Sequence, residues 1–177
     1  MTRKPTLSLV GLALATIGGI WILQSATAAP PGNTGNSRVG AWLTEAQIDG
    51  VPGLVLHQTL IFTGNGHGGT WTATDTTDFG LGGVTPGFDS PQYGVWETTN
   101  DDSTLVTTGY YFSYDEAGTH VATVRTSSTS YPNADDPRNA GFGDWMNEVY
   151  LPGMDPMNDA PVQVATGTFT TRRITTD

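Results

Sequence analysis

The amino-acid sequence predicts an all-β protein, a single antiparallel up-and-down barrel of about eight strands. Runs rich in Val, Thr, Tyr, Phe and Trp recur along the chain and are bounded by turns of Asn, Asp and Gly. Past residue 37, no stretch combines the apolar periodicity of a helix with helix caps. A barrel is favoured over a sandwich because nearly all of the connections are short, and because closure removes the exposed edges of the sheet.

The first 29 residues are expected to be a secretory signal peptide and not part of the barrel. Residues 2–4 form a basic start, residues 7–23 are uncharged and mostly apolar, and small residues surround Ala28 and Ala29. This order is typical of a signal that is removed near Ala28 or Ala29, so the protein is expected to be secreted or periplasmic. The alternative is an uncleaved membrane anchor, although a spanning helix needs ~20 apolar residues.

The barrel domain is expected to span residues 38–177, after a flexible lead-in at 30–37 that is rich in turn formers. Residues 42–48 also have a weak helical pattern, so a short turn of helix is the alternative at that position. Glycine-rich turns separate the first three runs of strand-forming residues. The first three strands are predicted at 38–47, 54–63 and 70–77.

A long loop at 78–91, rich in Gly, Pro and Asp, precedes the clearest strands of the chain. Loops of this length are uncommon in compact domains and often carry function. Three strands then alternate with two tight turns of Asn, Asp, Ser and Gly, which is the pattern of a β-meander. The remaining strands are predicted at 92–99, 104–114, 119–130, 143–151 and 162–174, with a second long loop at 131–142.

The charge and composition of the chain exclude several function classes. After Lys4 the chain has no lysine, and its five arginines stand against seventeen acidic residues, a formal charge of −12. Nucleic acid and anionic membrane surfaces select basic proteins, so neither is expected as a partner after signal cleavage. The absence of cysteine excludes thiol catalysis and thiolate metal sites. The three histidines lack metal-binding spacing, so neither a metal site nor a cofactor is expected.

The faces of the predicted strands point to a partly polar lumen. In each strand, alternation produces two sets of side chains, and neither set is wholly apolar, which suits a small barrel with room for one ligand. The tryptophans after the signal are Trp42, Trp71, Trp96 and Trp145. They either plug the core or form the walls of a ligand pocket. The pocket interpretation predicts a cavity larger than roughly 300 Å³. It assigns ligand contacts to Trp71, Trp96, Tyr110 and Phe112.

Gly40-Ala41-Trp42 at the start of the first strand, with Arg172-Arg173 near the end of the last, resembles the calycin arrangement of lipocalins and fatty-acid-binding proteins. Gly94-Val95-Trp96, the hairpin at 112–118 and the strand at 167–174 are similar to segments of secreted bacterial barrels. The resemblance implies a calycin-like barrel in which an arginine covers a tryptophan near the base. Trp42 and Arg173 are then expected to form a structural cation–π closure, not a catalytic pair.

Three functions remain open from the sequence. The first is an exported, non-catalytic barrel that binds a small apolar or amphipathic molecule in its lumen. The second is a barrel enzyme of cyclase or isomerase type, in which His57, Glu97 and Arg125 converge with Tyr110 inside the lumen as an acid–base set. This set cannot form if Glu97 and Arg125 both point outward. The third is a structural or surface interaction domain, which predicts an exposed apolar patch.

Overall fold

The computed structural model describes residues 38–65, 67–75, 87–99 and 104–176. The predicted signal peptide at 1–29, the lead-in at 30–37, most of the loop at 78–91 and the first meander turn fall outside these ranges. Export therefore stays a prediction from the sequence. Within the described ranges, no helix has the length and apolar character that crossing a bilayer requires.

The described residues form nine strands and no helix, which confirms the all-β prediction. The strands are β1 Gly40–Ile48, β2 Val55–Gly64, β3 Gly68–Asp75, β4 Phe88–Asp89, β5 Gln92–Thr98, β6 Leu105–Tyr114, β7 His120–Pro132, β8 Ala140–Tyr150 and β9 Gln163–Arg173. The alternative of a helical turn at 42–48 is wrong. In β1 the buried Trp42 and Thr44 alternate with the exposed Glu45, which is the two-residue period of a strand.

Eight of these strands close into an up-and-down antiparallel barrel, in the order β1, β2, β3, β5, β6, β7, β8 and β9. The closing pair joins β1 to β9, with Trp42 opposite Arg173 and Ile48 opposite Gly167. The first and last strands are therefore hydrogen-bonded, as the predicted barrel requires, and the closed sheet has no open edge along them.

The ninth strand, β4, is a short addition within the predicted loop at 78–91. It pairs with the end of β6, so it continues the line of β5 beyond a break at Ser90 and Pro91. Pro91 has no N–H to donate to a neighbouring strand. The Ser90 side chain instead accepts a hydrogen bond from the Phe112 N–H at 3.0 Å. The predicted loop at 131–142 is also shorter than expected, because β7 and β8 extend into it.

Large aromatic side chains fill one end of the interior. Trp42, Trp71 and Trp96 are almost fully buried and pack with Phe62 and Leu105. The Phe62 and Trp96 rings meet edge to face, with their centroids 5.9 Å apart. Eight strands enclose an interior only just wide enough for side chains. These few residues therefore occupy much of the interior, and the strands opposite them must present small residues.

Glycines on neighbouring strands make room for two of the indole rings. Gly94 and Gly109 lie opposite each other on β5 and β6. A Cβ atom at Gly109 would lie 2.6 Å from Cζ2 of Trp71. A Cβ atom at Gly167 would lie 2.7 Å from the ring of Trp145. Only a residue without a side chain leaves these rings in place, so the glycines determine where the remaining free space lies.

Candidate functional site

The candidate functional site is a cavity of about 90 Å³ inside the barrel. Its apolar wall includes Leu56, Leu60, Trp71, Trp145 and Phe169. Its polar wall includes Gln58, Asp75, Gln92 and Asn147. A mainly apolar cavity with a few placed polar groups is the usual form of a small-molecule site.

This cavity is smaller than the roughly 300 Å³ that the sequence predicted for an enclosed site. The reason is that Trp42, Trp96 and Phe62 fill one end of the barrel, as in the alternative in which the tryptophans plug the core. A larger pocket of about 440 Å³, which Trp145 also lines, is more open to the surface. A cavity of ~150 Å³ accepts benzene. A cavity of about 90 Å³ is smaller, so a molecule with one ring fits only if part of it extends into the adjoining space.

Several polar side chains of the cavity wall are held by hydrogen bonds to other side chains. The Gln92 amide donates a hydrogen bond to Oδ2 of Asp75 at 2.9 Å. The hydroxyls of Thr107 and Ser128 are 2.7 Å apart, and the Asn147 amide donates to a tyrosine hydroxyl on β6. These bonds hold the polar wall in a defined arrangement, as buried polar groups require.

The indole N–H of Trp145 makes no described hydrogen bond. Three of the four described tryptophans donate the indole N–H to a backbone carbonyl: Trp42 to Arg38 at 2.9 Å, Trp71 to Val95 at 3.1 Å and Trp96 to Thr63 at 2.9 Å. Nε1 of Trp145 is buried and has no acceptor among the residues that the structure describes. A buried donor without a partner costs about 1–3 kcal/mol. Because Trp145 lines the cavity, an oxygen atom of a bound molecule is a candidate acceptor.

A second cavity, of about 30 Å³, adjoins the first. The two cavities share four lining residues, which are Thr44, Leu60, Ser128 and Phe169. Arg38 lines the smaller cavity and is only 4% exposed. Its Nη2 atom is buried and has no hydrogen-bond partner within the described ranges. Burial lowers the pKa of Arg38, and the positive charge of Arg173 lowers it further.

Two arginines lie against the ring of Trp42. Cζ of Arg173 is 4.6 Å from the ring centroid, and Cζ of Arg38 is 5.9 Å from it. Nη1 of Arg173 also donates a hydrogen bond to the Val39 carbonyl at 2.8 Å. The contact between Trp42 and Arg173 has the geometry expected of a cation–π closure, since a cation within about 6 Å of the centroid is attracted by the ring.

The proposed acid–base residues do not converge in the lumen. Each lies on the outer face of its strand, because its neighbours along the strand line the interior. His57 is exposed, with Nδ1 3.9 Å from the Glu45 carboxylate. Glu97 is exposed on β5. Arg125 pairs with Glu148 on β8, where Nη2 and Oε2 are 2.6 Å apart. Both Glu97 and Arg125 point outward, so the structure does not form the lumen set.

Arg125 instead holds the connector between β8 and β9. Its Nη1 atom donates a hydrogen bond to the Pro156 carbonyl at 3.2 Å. The hydrogen bond to Glu148 is the largest cause that raises the pKa of Arg125. The Arg125 side chain therefore joins two strands and the connector on the outside of the barrel.

The four predicted ligand contacts are divided between the two faces of the sheet. Trp71 lines the larger cavity. Trp96 is buried beside it but is not among the lining residues. Tyr110 and Phe112 lie on the outer face of β6, where the Tyr110 hydroxyl donates to Sδ of Met157 at 3.0 Å. On the inner face of β6, Gly109 lies against the Trp71 ring, which leaves no space for a side chain at that position.

Sequence reasoning missed several residues of the cavity walls. These are Arg38, Gln58, Asp75, Gln92 and Asn147. Two of them could have been found from the alternation of side chains along a strand. Arg38 and Gln92 each lie four residues before a buried tryptophan and therefore lie on the same face of the strand as that tryptophan. In the described part of the chain, no group of three or more His, Asp or Glu side chains is placed to hold a metal ion.

A comparison of the chain with protein-family models gives no match, and a comparison with curated proteins finds no similar sequence. Among solved structures, the chain is similar to one described as "Structure of EF1p2_mFAP2b bound to DFHBI". The TM-score is 0.49 at 13% sequence identity, and the match covers 77% of this chain and 93% of that chain. A similarity at this level carries no argument about function.

Proposed function

We propose that this protein is an exported, calycin-like barrel that binds one small amphipathic molecule in its lumen without converting it chemically. The observation that carries this proposal is that Trp145 belongs to the cavity wall and that its buried indole N–H has no described acceptor. Buried polar groups in folded proteins nearly always have a partner. A ligand oxygen would provide that partner and remove the penalty of the unpaired donor.

The cavity walls indicate the chemistry of the ligand. Trp71, Leu60 and Phe169 offer an apolar surface to a ring or a short alkyl group. Trp145 offers one donor, while Asp75 and the amide side chains around it offer hydrogen-bonding groups to a polar substituent. The ligand class is therefore a molecule of about one ring that carries a hydroxyl or carbonyl oxygen.

The ionisable residues favour binding over catalysis. Asp75 is the one ionisable side chain among the described residues that line the larger cavity. General acid–base catalysis of an isomerisation or cyclisation needs a second group within reach of the reacting atoms. The three residues proposed for this role lie on the outer face. The cation–π contact at Trp42 supports the calycin-like assignment, and the signal-like first 29 residues support export.

Calorimetric titration of the full chain with benzyl alcohol tests the proposal, since this molecule has one ring and one hydroxyl oxygen. We expect saturable binding at one site. In Trp145→Phe the ring is kept and the N–H is lost, so the affinity is expected to fall by roughly 3- to 10-fold, the effect of one net hydrogen bond. Trp96→Phe is the matched control, because Trp96 is buried outside the cavity lining.

Native mass spectrometry of the exported protein provides a second, independent measurement. A co-purified molecule of about one ring supports the proposal. If no small molecule co-purifies and benzyl alcohol shows no saturable binding at millimolar concentration, the proposed function is wrong. Equal losses in Trp145→Phe and Trp96→Phe would show that the effect is on folding and not on a ligand contact.

A further inference from the structure

Arg38 is a buried cation without a described counter-charge. Its side chain is 4% exposed, whereas arginine is almost never fully buried unless it is paired. Neither of the ion pairs among the described residues includes Arg38. A second cation, Arg173, lies against the same Trp42 ring. This end of the lumen therefore carries two positive charges.

The contact with Trp42 does not satisfy Arg38. At 5.9 Å from the ring centroid, Cζ is near the outer limit of a cation–π contact. Nη2 of Arg38 is buried and has no hydrogen-bond partner in the described ranges. A desolvated guanidinium in this state is strongly unfavourable, and an anion that accepts its N–H bonds would remove the penalty.

The space beside Arg38 fits a particular anionic group. The cavity there is about 30 Å³, and the hydroxyl-bearing residues Ser128, Ser130 and Thr171 are part of its lining. A cavity of this volume holds a group of only a few atoms, so a planar carboxylate fits it better than the larger tetrahedral phosphate. A guanidinium also matches a carboxylate in geometry, because its parallel N–H groups can bind both oxygens.

We propose that the smaller cavity is a carboxylate subsite, in which Arg38 binds the acid group of a one-ring organic acid whose ring lies in the larger cavity. This inference rests on the proposed function and narrows it from amphipathic molecules in general to organic acids. The shared lining residues make the two cavities neighbours, which is the arrangement that a ligand with its ring in one and its acid group in the other requires. Asp75 lines only the larger cavity, so the negative charge of the ligand is directed to the Arg38 end.

Calorimetric titration of the full chain with benzoate and with benzyl alcohol tests the inference. The two molecules have the same ring, and only benzoate carries a charge. We expect benzoate to bind roughly 10- to 100-fold more tightly, the range for a hydrogen-bonded charge. In Arg38→Met this preference is expected to disappear. Arg172→Met is the control, because Arg172 is an exposed cation next to Arg173 and should keep the preference.

A further measurement needs no variant and decides the question if Arg38→Met does not fold. Sodium formate should compete with benzoate for the wild-type protein, because formate is a bare carboxylate. Sodium chloride at equal ionic strength should compete much less, since it only screens the charge. If formate competes with benzoate no more strongly than chloride does, the proposed carboxylate subsite is wrong.

The outcomes separate this inference from the proposed function. If benzyl alcohol binds as tightly as benzoate, or Arg38→Met keeps the benzoate preference, the carboxylate subsite is wrong and binding in the lumen stands. If neither molecule binds, both proposals are wrong. If Arg172→Met also loses the preference for benzoate, that preference is an effect of the overall charge of the barrel end and not of a subsite at Arg38.

Discussion

The unpaired indole of Trp145 makes a prediction that needs no ligand. Trp145→Phe and Trp71→Phe each replace an indole that lines the same cavity with a smaller phenyl ring. They differ in the N–H, because Trp71 donates to the Val95 carbonyl at 3.1 Å and Trp145 donates to no described group. The comparison of the two variants therefore cancels most of the loss of apolar contact and leaves the hydrogen-bond difference.

The size of that difference follows from the two environments. Trp71→Phe loses a net hydrogen bond worth about 0.5–1.5 kcal/mol. Trp145→Phe removes a buried unsatisfied donor, whose burial costs about 1–3 kcal/mol. We expect the free energy of unfolding of ligand-free Trp145→Phe to exceed that of Trp71→Phe by about 1.5–4.5 kcal/mol. In a domain of this size each kcal/mol corresponds to roughly 2–4 °C in Tm.

Equilibrium unfolding in urea, followed by far-UV circular dichroism, measures this difference on protein freed of small molecules by refolding. Benzyl alcohol should then stabilise the wild type more than Trp145→Phe, because the stabilisation of a protein by a ligand increases with the affinity of the folded state for that ligand. The reasoning is refuted if ligand-free Trp145→Phe is as unstable as Trp71→Phe. That result would mean that the Trp145 N–H is already satisfied, and the main support for ligand binding would be lost.

Three further predictions concern the fold around the site. Arg173→Met removes the cation 4.6 Å from the Trp42 ring and should lower the free energy of unfolding in urea by roughly 1–2 kcal/mol. An unchanged free energy of unfolding would contradict the cation–π closure. Gly109→Ala places a Cβ 2.6 Å from the Trp71 ring and should cost roughly 1–3 kcal/mol, with a change in near-UV circular dichroism; an unchanged spectrum would contradict the packing. Hydrogen bonds from the connector backbone and a neighbouring amide lower the pKa of Asp155. The ionised Asp155 carboxylate should therefore stabilise the folded state fully above the usual aspartate pKa, and this stabilisation should be lost as the pH falls through the lowered pKa. An NMR titration that places the Asp155 pKa at or above its usual value would contradict this.

The order of the strands and most of their bounds could be predicted from the sequence. Consecutive antiparallel strands pair through short turns, so local turn chemistry and two-residue alternation are enough to place them. The exceptions lie where the chain departs from this local rule. β4 falls within a predicted loop because Pro91 interrupts the strand, and β7 and β8 run into the predicted loop at 131–142.

The candidate site was predicted less well, because alternation defines two faces without saying which one is inside. On β2 the inner set includes Gln58, and His57 lies outside. On β6 the inner set includes Gly109, and the larger Tyr110 lies outside. A choice by hydrophobic size alone would have put Tyr110 in the lumen. That choice fails because the indole of Trp71 lies against Gly109 and occupies the space.

The sequence by itself determined the class of the fold, its strand order and the two alternating sets of side chains on each strand, since these follow from interactions between near neighbours. Only the tertiary structure decided which set faces inward, how small the cavity is and that Nε1 of Trp145 and Nη2 of Arg38 are buried without described hydrogen-bond partners. The physical reason is that one closed interior is shared by eight strands. Each ring that enters it limits what the other strands can place there.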